Sequence, residues 1–202
     1  NPVRSDIARE DLPRDRAVQQ FGLNPARKTM LVIGGSLGAR TVNESLLAGL
    51  TALEEKNIQL IWQVGKLYVK EMRLRMAGRE TAGVKIFDFI RKMDEAYAAA
   101  DLVVSRAGAL AISELCLVGK PVVLVPSPNV AEDHQTMNAR ALADRQAAIL
   151  VPDKEARERL VAEALHLIRD ADRMDTMSRN IRLMARPNAA ADIANEVMDL
   201  IS

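Results

Sequence analysis

The sequence has a single cysteine, Cys116, and no excess of charge of either sign. One thiol cannot form an intramolecular disulfide or a cysteine-rich zinc site, so a reducing compartment is the simplest interpretation. The 28 basic and 27 acidic side chains leave a formal net charge of +1, and we therefore expect no nucleic-acid partner. The sequence also lacks an apolar run of about 18 residues, the length that spans a bilayer.

Enough apolar material is present for a folded core. Of the 202 residues, 49% are hydrophobic, which excludes a disordered chain and suffices for one large domain. We predict a single domain over 1–202, with an opening loop at 1–28 that includes one short helix and with a helical tail at 153–202. Because the first residue is Asn1 and not methionine, we expect the chain to be part of a longer protein.

Short apolar runs alternate with helical patterns between residues 30 and 151. Runs that are apolar throughout are typical of strands buried on both faces of a parallel sheet. The alternation therefore predicts an α/β fold with a doubly wound, Rossmann-like parallel sheet and helices on both faces. The predicted strands are 30–33, 58–64, 84–87, 102–105, 121–126 and 148–151, and the predicted helices between them are 39–53, 66–76, 93–100, 109–118 and 134–143.

The turn after the first predicted strand contains Gly34, Gly35, Ser36 and Gly38. In open α/β sheets, ligands bind at the carboxyl ends of the strands, and glycines let a ligand approach the backbone. The start of the next helix favours phosphate, although a tight turn that needs glycine would give the same pattern. The turn is neither a P-loop nor a G-x-G-x-x-G motif, and the second predicted strand ends near Gln63 without the acidic residue of an NAD site.

The turn after the fourth predicted strand has the same character, with Gly108 directly before a helix. This helix start is a second position that favours an anion. Glu114 follows about one and a half turns into the helix, where its carboxylate can accept hydrogen bonds from two vicinal hydroxyl groups. A solvated surface glutamate, the usual fate of this residue type, is the alternative.

Two prolines extend the loop after the fifth predicted strand, and His134, Gln135 and Asn138 follow at the start of a helix. Amide and imidazole groups at this spacing share one helix face and suit the hydroxyl-rich surface of a sugar. A plain helix start with an exposed His134 is the alternative. In both cases we expect Asp133 to cap the helix.

Five segments occur in one order along the chain: NPVR at 1–4, GGSLGAR at 34–40, FI at 89–90, SRAGALAISE at 105–114, and EDHQT with NA within 132–139. In this order and spacing they resemble the C-terminal half of the MurG family of bacterial glycosyltransferases. The resemblance implies one half of a GT-B glycosyltransferase, in which two Rossmann-like domains face each other across a cleft. It also implies that this half holds UDP-N-acetylglucosamine, the donor for an inverting transfer of N-acetylglucosamine to lipid I that forms lipid II in peptidoglycan synthesis.

The same resemblance assigns the lipid acceptor and most of the membrane association to an N-terminal domain, which we expect to be absent from the chain. The family's enzymes would lie peripherally at the cytoplasmic face of the bacterial plasma membrane. We expect no catalytic residue in this half, because the base would belong to the absent domain. We therefore predict that this chain binds the donor but does not transfer the sugar alone.

The resemblance gives donor-binding roles to several positions. Arg4 and Ser36 would contact the nucleotide and phosphates, and Ile90 would meet uracil through its backbone. Ala109 and Leu110 would offer backbone groups near phosphate or sugar, and Glu114 would accept hydrogen bonds from the ribose hydroxyls. His134 and Gln135 would face N-acetylglucosamine. The phosphate turns would be formed by Gly34, Gly35, Gly38 and Gly108.

The sequence favours chemistry without a metal or other cofactor. Paired helix N-termini can stabilise a departing UDP electrostatically, so we expect neither a metal site nor a cofactor. Two alternatives stay open. One is an enzyme like the UDP-N-acetylglucosamine 2-epimerases, which needs further carboxylates and histidines around the sugar; the other is a non-catalytic nucleotide-binding domain.

Overall fold

The computed structural model describes residues 1–3, 7–8, 11–78, 83–128 and 133–201. Within these ranges, six strands form one sheet in which every neighbouring pair is parallel, as the sequence predicts. The strands are β1 (Lys28–Ile33), β2 (Ile58–Gln63), β3 (Val84–Phe87), β4 (Leu102–Ser105), β5 (Val122–Leu124) and β6 (Ile149–Leu150). The helices are α1 (Arg14–Gln20), α2 (Arg40–Ala48), α3 (Leu50–Glu55), α4 (Val69–Met76), α5 (Met93–Ala99), α6 (Ala109–Val118), α7 (His134–Ala143), α8 (Ala156–Arg169), α9 (Ala171–Arg182) and α10 (Ala189–Ile201).

The strand order is β3-β2-β1-β4-β5-β6. β2 and β3 follow β1 on one side of the sheet, and β4 pairs with β1 on its other side. In the register of this central pair, Ile33 lies opposite Ser105, so both strands end at the same level. The turns that follow β1 and β4 consequently leave the sheet side by side, at the point where ligands bind in open α/β folds.

Each face of the sheet is covered by its own apolar layer. Along β1, Met30 and Val32 belong to the layer formed with α2, α3, α4 and α8, whereas Leu31 belongs to the layer formed with α1, α5, α6 and α7. Because successive strand residues point to opposite faces, a sheet covered on both sides needs strands that are apolar throughout. This requirement explains the apolar runs in the sequence.

A buried polar link fixes α2 against the end of β2. The indole Nε1 of Trp62 donates to Asn43 Oδ1 at 3.1 Å, and Asn43 Nδ2 donates to the Val64 carbonyl at 2.9 Å. Both side chains are almost completely buried, where an unpaired polar group would be costly. The link therefore holds the start of α2 at a defined height above the sheet edge.

The helical stretch predicted at 39–53 is confirmed except for its continuity, because α2 ends at Ala48 and α3 begins at Leu50. The break lies at Gly49, where an added Cβ would approach Val161 Cγ2 of α8 to 2.5 Å. Such a contact is too short for any larger residue. The close approach of α8 therefore requires a glycine at this position, which local periodicity does not reveal.

The end of the helical tail is exposed. From Ala190 to Ile201 every residue is exposed, including the apolar Ile193, Val197 and Leu200. Among the described residues, no helix has the length and apolar character needed to cross a membrane.

Two glycines test how closely the turns at the sheet edge must approach each other. Gly65 and Gly78 have φ values of +87° and +80°. A Cβ on Gly65 would overlap the backbone of Gly38, whereas a Cβ on Gly78 would meet no atom of a described residue within 4 Å. Both alanine variants incur the roughly 1–2 kcal/mol cost of a left-handed residue, and Gly65→Ala adds about 1–3 kcal/mol of overpacking. We expect urea denaturation to show the larger loss of unfolding free energy for Gly65→Ala. Equal losses would contradict the described contact.

Candidate functional site

The turn between β1 and α2 contains two glycines with left-handed backbone geometry. Gly35 and Gly38 have φ values of +84° and +93°, and a Cβ on Gly38 would overlap the Val64 carbonyl and the Tyr68 ring. The turn is held from the β2 side, because the Lys66 N–H donates to the Ser36 carbonyl at 3.2 Å. The backbone of this turn is therefore fixed and lies close to its neighbours.

Two helix starts lie beside each other above the sheet. The residues before α2 and α6 are Ala39 and Gly108, and neither makes a side-chain capping bond within the described part of the chain. The first N–H groups of a helix have no intrahelical partner, and the helix dipole gives them positive character. Two uncapped starts together form a position suited to a polyanion.

A cavity of 460 Å³ lies between these helix starts. Its walls come from the β1–α2 turn, the β4–α6 turn, the segment after β5 and the start of α7. The predicted site residues among its lining are Gly34, Gly35, Gly38, Gly108 and Gln135. The structure thus brings both glycine turns and one of the predicted sugar-binding side chains to one cavity.

Arg106 places a cation in this cavity, and the sequence analysis missed it. Its Nη1 donates to Asp153 Oδ1 at 2.5 Å and to the carbonyls of Val125 and Pro126 at 3.0 Å each. Asp153 also accepts from Thr41 Oγ1 in α2, at 2.9 Å. These bonds fix the guanidinium and connect four separate segments. The signal in the sequence was the position of Arg106 directly after β4, but Asp153 lies 47 residues away.

The amides at the start of α7 brace the neighbouring turn. Gln135 Oε1 accepts from the N–H groups of Ala107 at 3.2 Å and Ser127 at 2.9 Å, and Asn138 Nδ2 donates to the Ala107 carbonyl at 3.1 Å. The Gln135 Nε2 group, whose side chain lines the cavity, makes no hydrogen bond with a described residue. Gln135 therefore both supports the β4–α6 turn and keeps a donor for a ligand.

The expected cap on α7 is wrong. Asp133 precedes the helix but makes no side-chain capping bond. Its φ of +53° and ψ of +27° are left-handed, whereas a capping residue normally has an extended backbone from which its side chain reaches the first turn. His134, which follows it, is exposed.

Glu114 lies on α6, three residues after the cavity-lining Ala111 and on the same side of the helix. It is half-buried and outside the lining of the 460 Å³ cavity itself. The hydroxyl of the buried Tyr97 donates to Glu114 Oε2 at 3.3 Å. Burial, and next the Glu114 charge, raise the pKa of Tyr97 well above its ordinary value, so the phenol stays protonated and remains a donor.

Ile90 lies at a second, smaller cleft of 250 Å³, whose walls include Phe21, Phe87 and Phe89. The Ile90 N–H donates to Gln63 Oε1 at 2.8 Å. The same Gln63 side chain donates through Nε2 to the Gly35 carbonyl at 3.1 Å. In the sequence, Gln63 is distinguished only by not being acidic, whereas the structure shows that its side chain bonds to the backbone at both clefts.

The remaining predicted residues lie around these clefts or outside the described ranges. Ser36 is exposed within the glycine turn but does not line the cavity, and Ala109 and Leu110 form the exposed first turn of α6. Arg4 lies outside the described residues. Within the described ranges, no group of three or more histidine, cysteine or acidic side chains could hold a metal ion.

Comparison with known proteins agrees with this architecture. The sequence model of the glycosyltransferase family 28 C-terminal domain matches residues 29–197. The UDP-N-acetylglucosamine–N-acetylmuramyl-(pentapeptide) pyrophosphoryl-undecaprenol N-acetylglucosamine transferase of Bacteroides fragilis is 51% identical over 203 residues, which cover 99% of this chain and 53% of the relative. The corresponding protein of Parabacteroides distasonis is 49% identical over 201 residues, covering 100% of this chain and 55% of the relative.

Solved structures show the same fold. MurG of Acinetobacter baumannii superposes with a TM-score of 0.77 and 29% identity, covering 91% of this chain and 53% of that protein. A UDP-N-acetylglucosamine 2-epimerase superposes with a TM-score of 0.63 and 17% identity, covering 95% of this chain and 47% of the epimerase; identity this low shows a shared fold alone.

The resemblance to MurG found in the sequence is confirmed, and so is the assignment to the C-terminal half of a GT-B fold. The chain spans about half the length of the curated relatives it matches. With the family model matching residues 29–197 of 202, the chain belongs to the glycosyltransferase family 28 C-terminal domain family.

Proposed function

We propose that this chain is the donor-binding half of an inverting hexosyltransferase that moves N-acetylglucosamine from UDP-N-acetylglucosamine to lipid I and so forms lipid II. The observation that supports this most strongly is the pair of uncapped helix starts at one cavity beside the reversal in strand order. The similarity to transferases with this activity in their names adds the sugar and the acceptor.

The diphosphate would lie between the β1–α2 and β4–α6 turns. Backbone N–H groups at both helix starts can donate to its oxygens, and the Arg106 guanidinium, which is paired with Asp153, adds further charged N–H donors. As the bond to the sugar breaks, negative charge accumulates on the departing UDP. Donors that are already in place stabilise that charge without reorganisation.

The remaining parts of the donor would extend to either side of the diphosphate. Glu114 would accept the ribose hydroxyls, with Tyr97 donating to the same carboxylate. Ile90 would meet uracil through its carbonyl, because its N–H is already bonded to Gln63. His134 and the Nε2 group of Gln135, which has no hydrogen-bond acceptor among the described residues, would face N-acetylglucosamine. Arg4 and Ser36 would contact the nucleotide and phosphate portion.

The acceptor, the general base and the membrane contact would belong to an N-terminal half, since the relatives are about twice as long as this chain. The complete enzyme would then act as a peripheral protein at the cytoplasmic face of the bacterial plasma membrane. A 2-epimerase-like reaction is less well supported, because only the fold is shared with those enzymes.

Calorimetric titration of this chain with UDP, UDP-N-acetylglucosamine and NAD tests the proposal directly. We expect binding of both uridine ligands but not of NAD, with the same affinities in EDTA, because the helix starts and Arg106 provide the charge complement without a metal. We also expect no transfer to lipid I by this chain alone. Failure to bind UDP, or turnover without a second half, would contradict the proposal.

Replacing Glu114 with glutamine tests the ribose contact. The change keeps the volume of the side chain but removes the charged acceptor, so we expect UDP binding to weaken by about 1–3 kcal/mol. Glu54→Gln, at an exposed position on α3, is the matched control and should bind UDP like the parent. An unchanged affinity in Glu114→Gln would instead favour a non-catalytic domain that does not hold ribose.

Replacing Arg106 with glutamine tests the diphosphate contact. UDP affinity should fall about tenfold through loss of a charged donor, whereas uridine, which has no phosphate, should bind with unchanged affinity. Arg157→Gln is the control, because Arg157 is exposed and pairs with Glu44 at the surface. Equal losses for UDP and uridine would show that Arg106 acts on the fold and not on the phosphates.

A further inference from the structure

The side chain of Gln63 uses both ends of its amide to join two parts of the site. Gln63 is the last residue of β2 and is 3% exposed. Its Nε2 donates to the Gly35 carbonyl at 3.1 Å, and its Oε1 accepts from the Ile90 N–H at 2.8 Å. The distances are those of well-formed hydrogen bonds, and burial makes the loss of either one costly.

The backbone of Gln63 strengthens the first of these links. The Gln63 carbonyl accepts from the Gly34 N–H at 3.3 Å, and the Gly35 carbonyl also accepts from the Gly38 N–H at 3.2 Å. The glycine turn is thus bonded to one residue through both main chain and side chain. A single glutamine side chain therefore spans the distance between the glycine turn and Ile90.

The second link decides which backbone group of Ile90 can reach a ligand. Ile90 lines the 250 Å³ cleft. Its N–H is bonded to Gln63, whereas its carbonyl, an acceptor, takes part in no backbone hydrogen bond of the described turns and loops. An acceptor pairs with the N3–H of uracil. Cytosine has a lone pair at N3 and would leave the carbonyl facing a second acceptor.

We propose that Gln63 is a positioning residue that sets the preference for uracil, by holding the Ile90 carbonyl as the base acceptor at a fixed distance from the phosphate turn. This inference rests on the proposed donor-binding function. Release of the amide would let the Ile90 segment turn its N–H toward the base, so that cytosine would be accepted as well.

The same strand contains a matched control. Gln59 lies at the opposite end of β2, is 0% exposed, and also uses both ends of its amide. Its Oε1 accepts from the Asn24 N–H at 3.1 Å, and its Nε2 donates to the Asn24 carbonyl at 2.8 Å and to Thr29 Oγ1 at 2.9 Å. Gln59→Met therefore removes at least as many amide bonds as Gln63→Met, but only Gln63→Met changes a contact at the site.

The test is calorimetric titration of the parent chain and both methionine variants with UDP and CDP. The parent should prefer UDP by about tenfold or more. Gln63→Met should reduce the ratio of the two affinities at least about threefold, whereas Gln59→Met should leave the ratio unchanged despite a comparable loss of thermal stability. An unchanged ratio in Gln63→Met would overturn the inference.

Gln63→Glu provides a second variant if the methionine protein does not fold. Burial favours the protonated carboxyl group, which can accept from the Ile90 N–H and donate to the Gly35 carbonyl, so the UDP preference should persist. Loss of the preference in this variant would overturn the inference. If the parent chain binds UDP and CDP equally, the inference about Gln63 is overturned but diphosphate binding stands. If the parent chain binds neither nucleotide, the proposed function is overturned as well.

Discussion

The site depends on one topological constraint, the reversal of strand order between β1 and β4. Parallel strands place all their carboxyl ends at one edge, and helices start there. At the reversal, the connections from two adjacent strands diverge to opposite faces of the sheet. The gap between them contains two helix starts without side-chain caps in the described chain, and this gap is the cavity.

Close backbone contacts keep the gap in shape. The glycine turn after β1 lies directly against the turn after β2, and Gln63 and Lys66 bond to it from that side. On the other side, the Arg106–Asp153–Thr41 connection joins the β4–α6 turn to α2. Polar side chains in this site therefore have two roles. They form hydrogen bonds that hold the backbone turns in place, and some of them also line the cavity.

Local sequence patterns predicted the features that depend on neighbouring residues. The apolar strands follow from burial, the glycines at 35 and 38 follow from left-handed backbone geometry, and the parallel arrangement places both turns at one edge. Contacts between distant residues were not predicted. The need for a glycine at position 49 depends on Val161, the setting of Arg106 depends on Asp153, and the role of Gln63 depends on the strand register that brings it near Ile90.

The most direct test of this account is a crystal structure of the chain with UDP bound. We expect the diphosphate oxygens to accept hydrogen bonds from backbone N–H groups of both the 34–40 turn and the start of α6, with Glu114 at the ribose. A diphosphate bound to only one of the two helix starts, or bound outside the 460 Å³ cavity, would contradict the account.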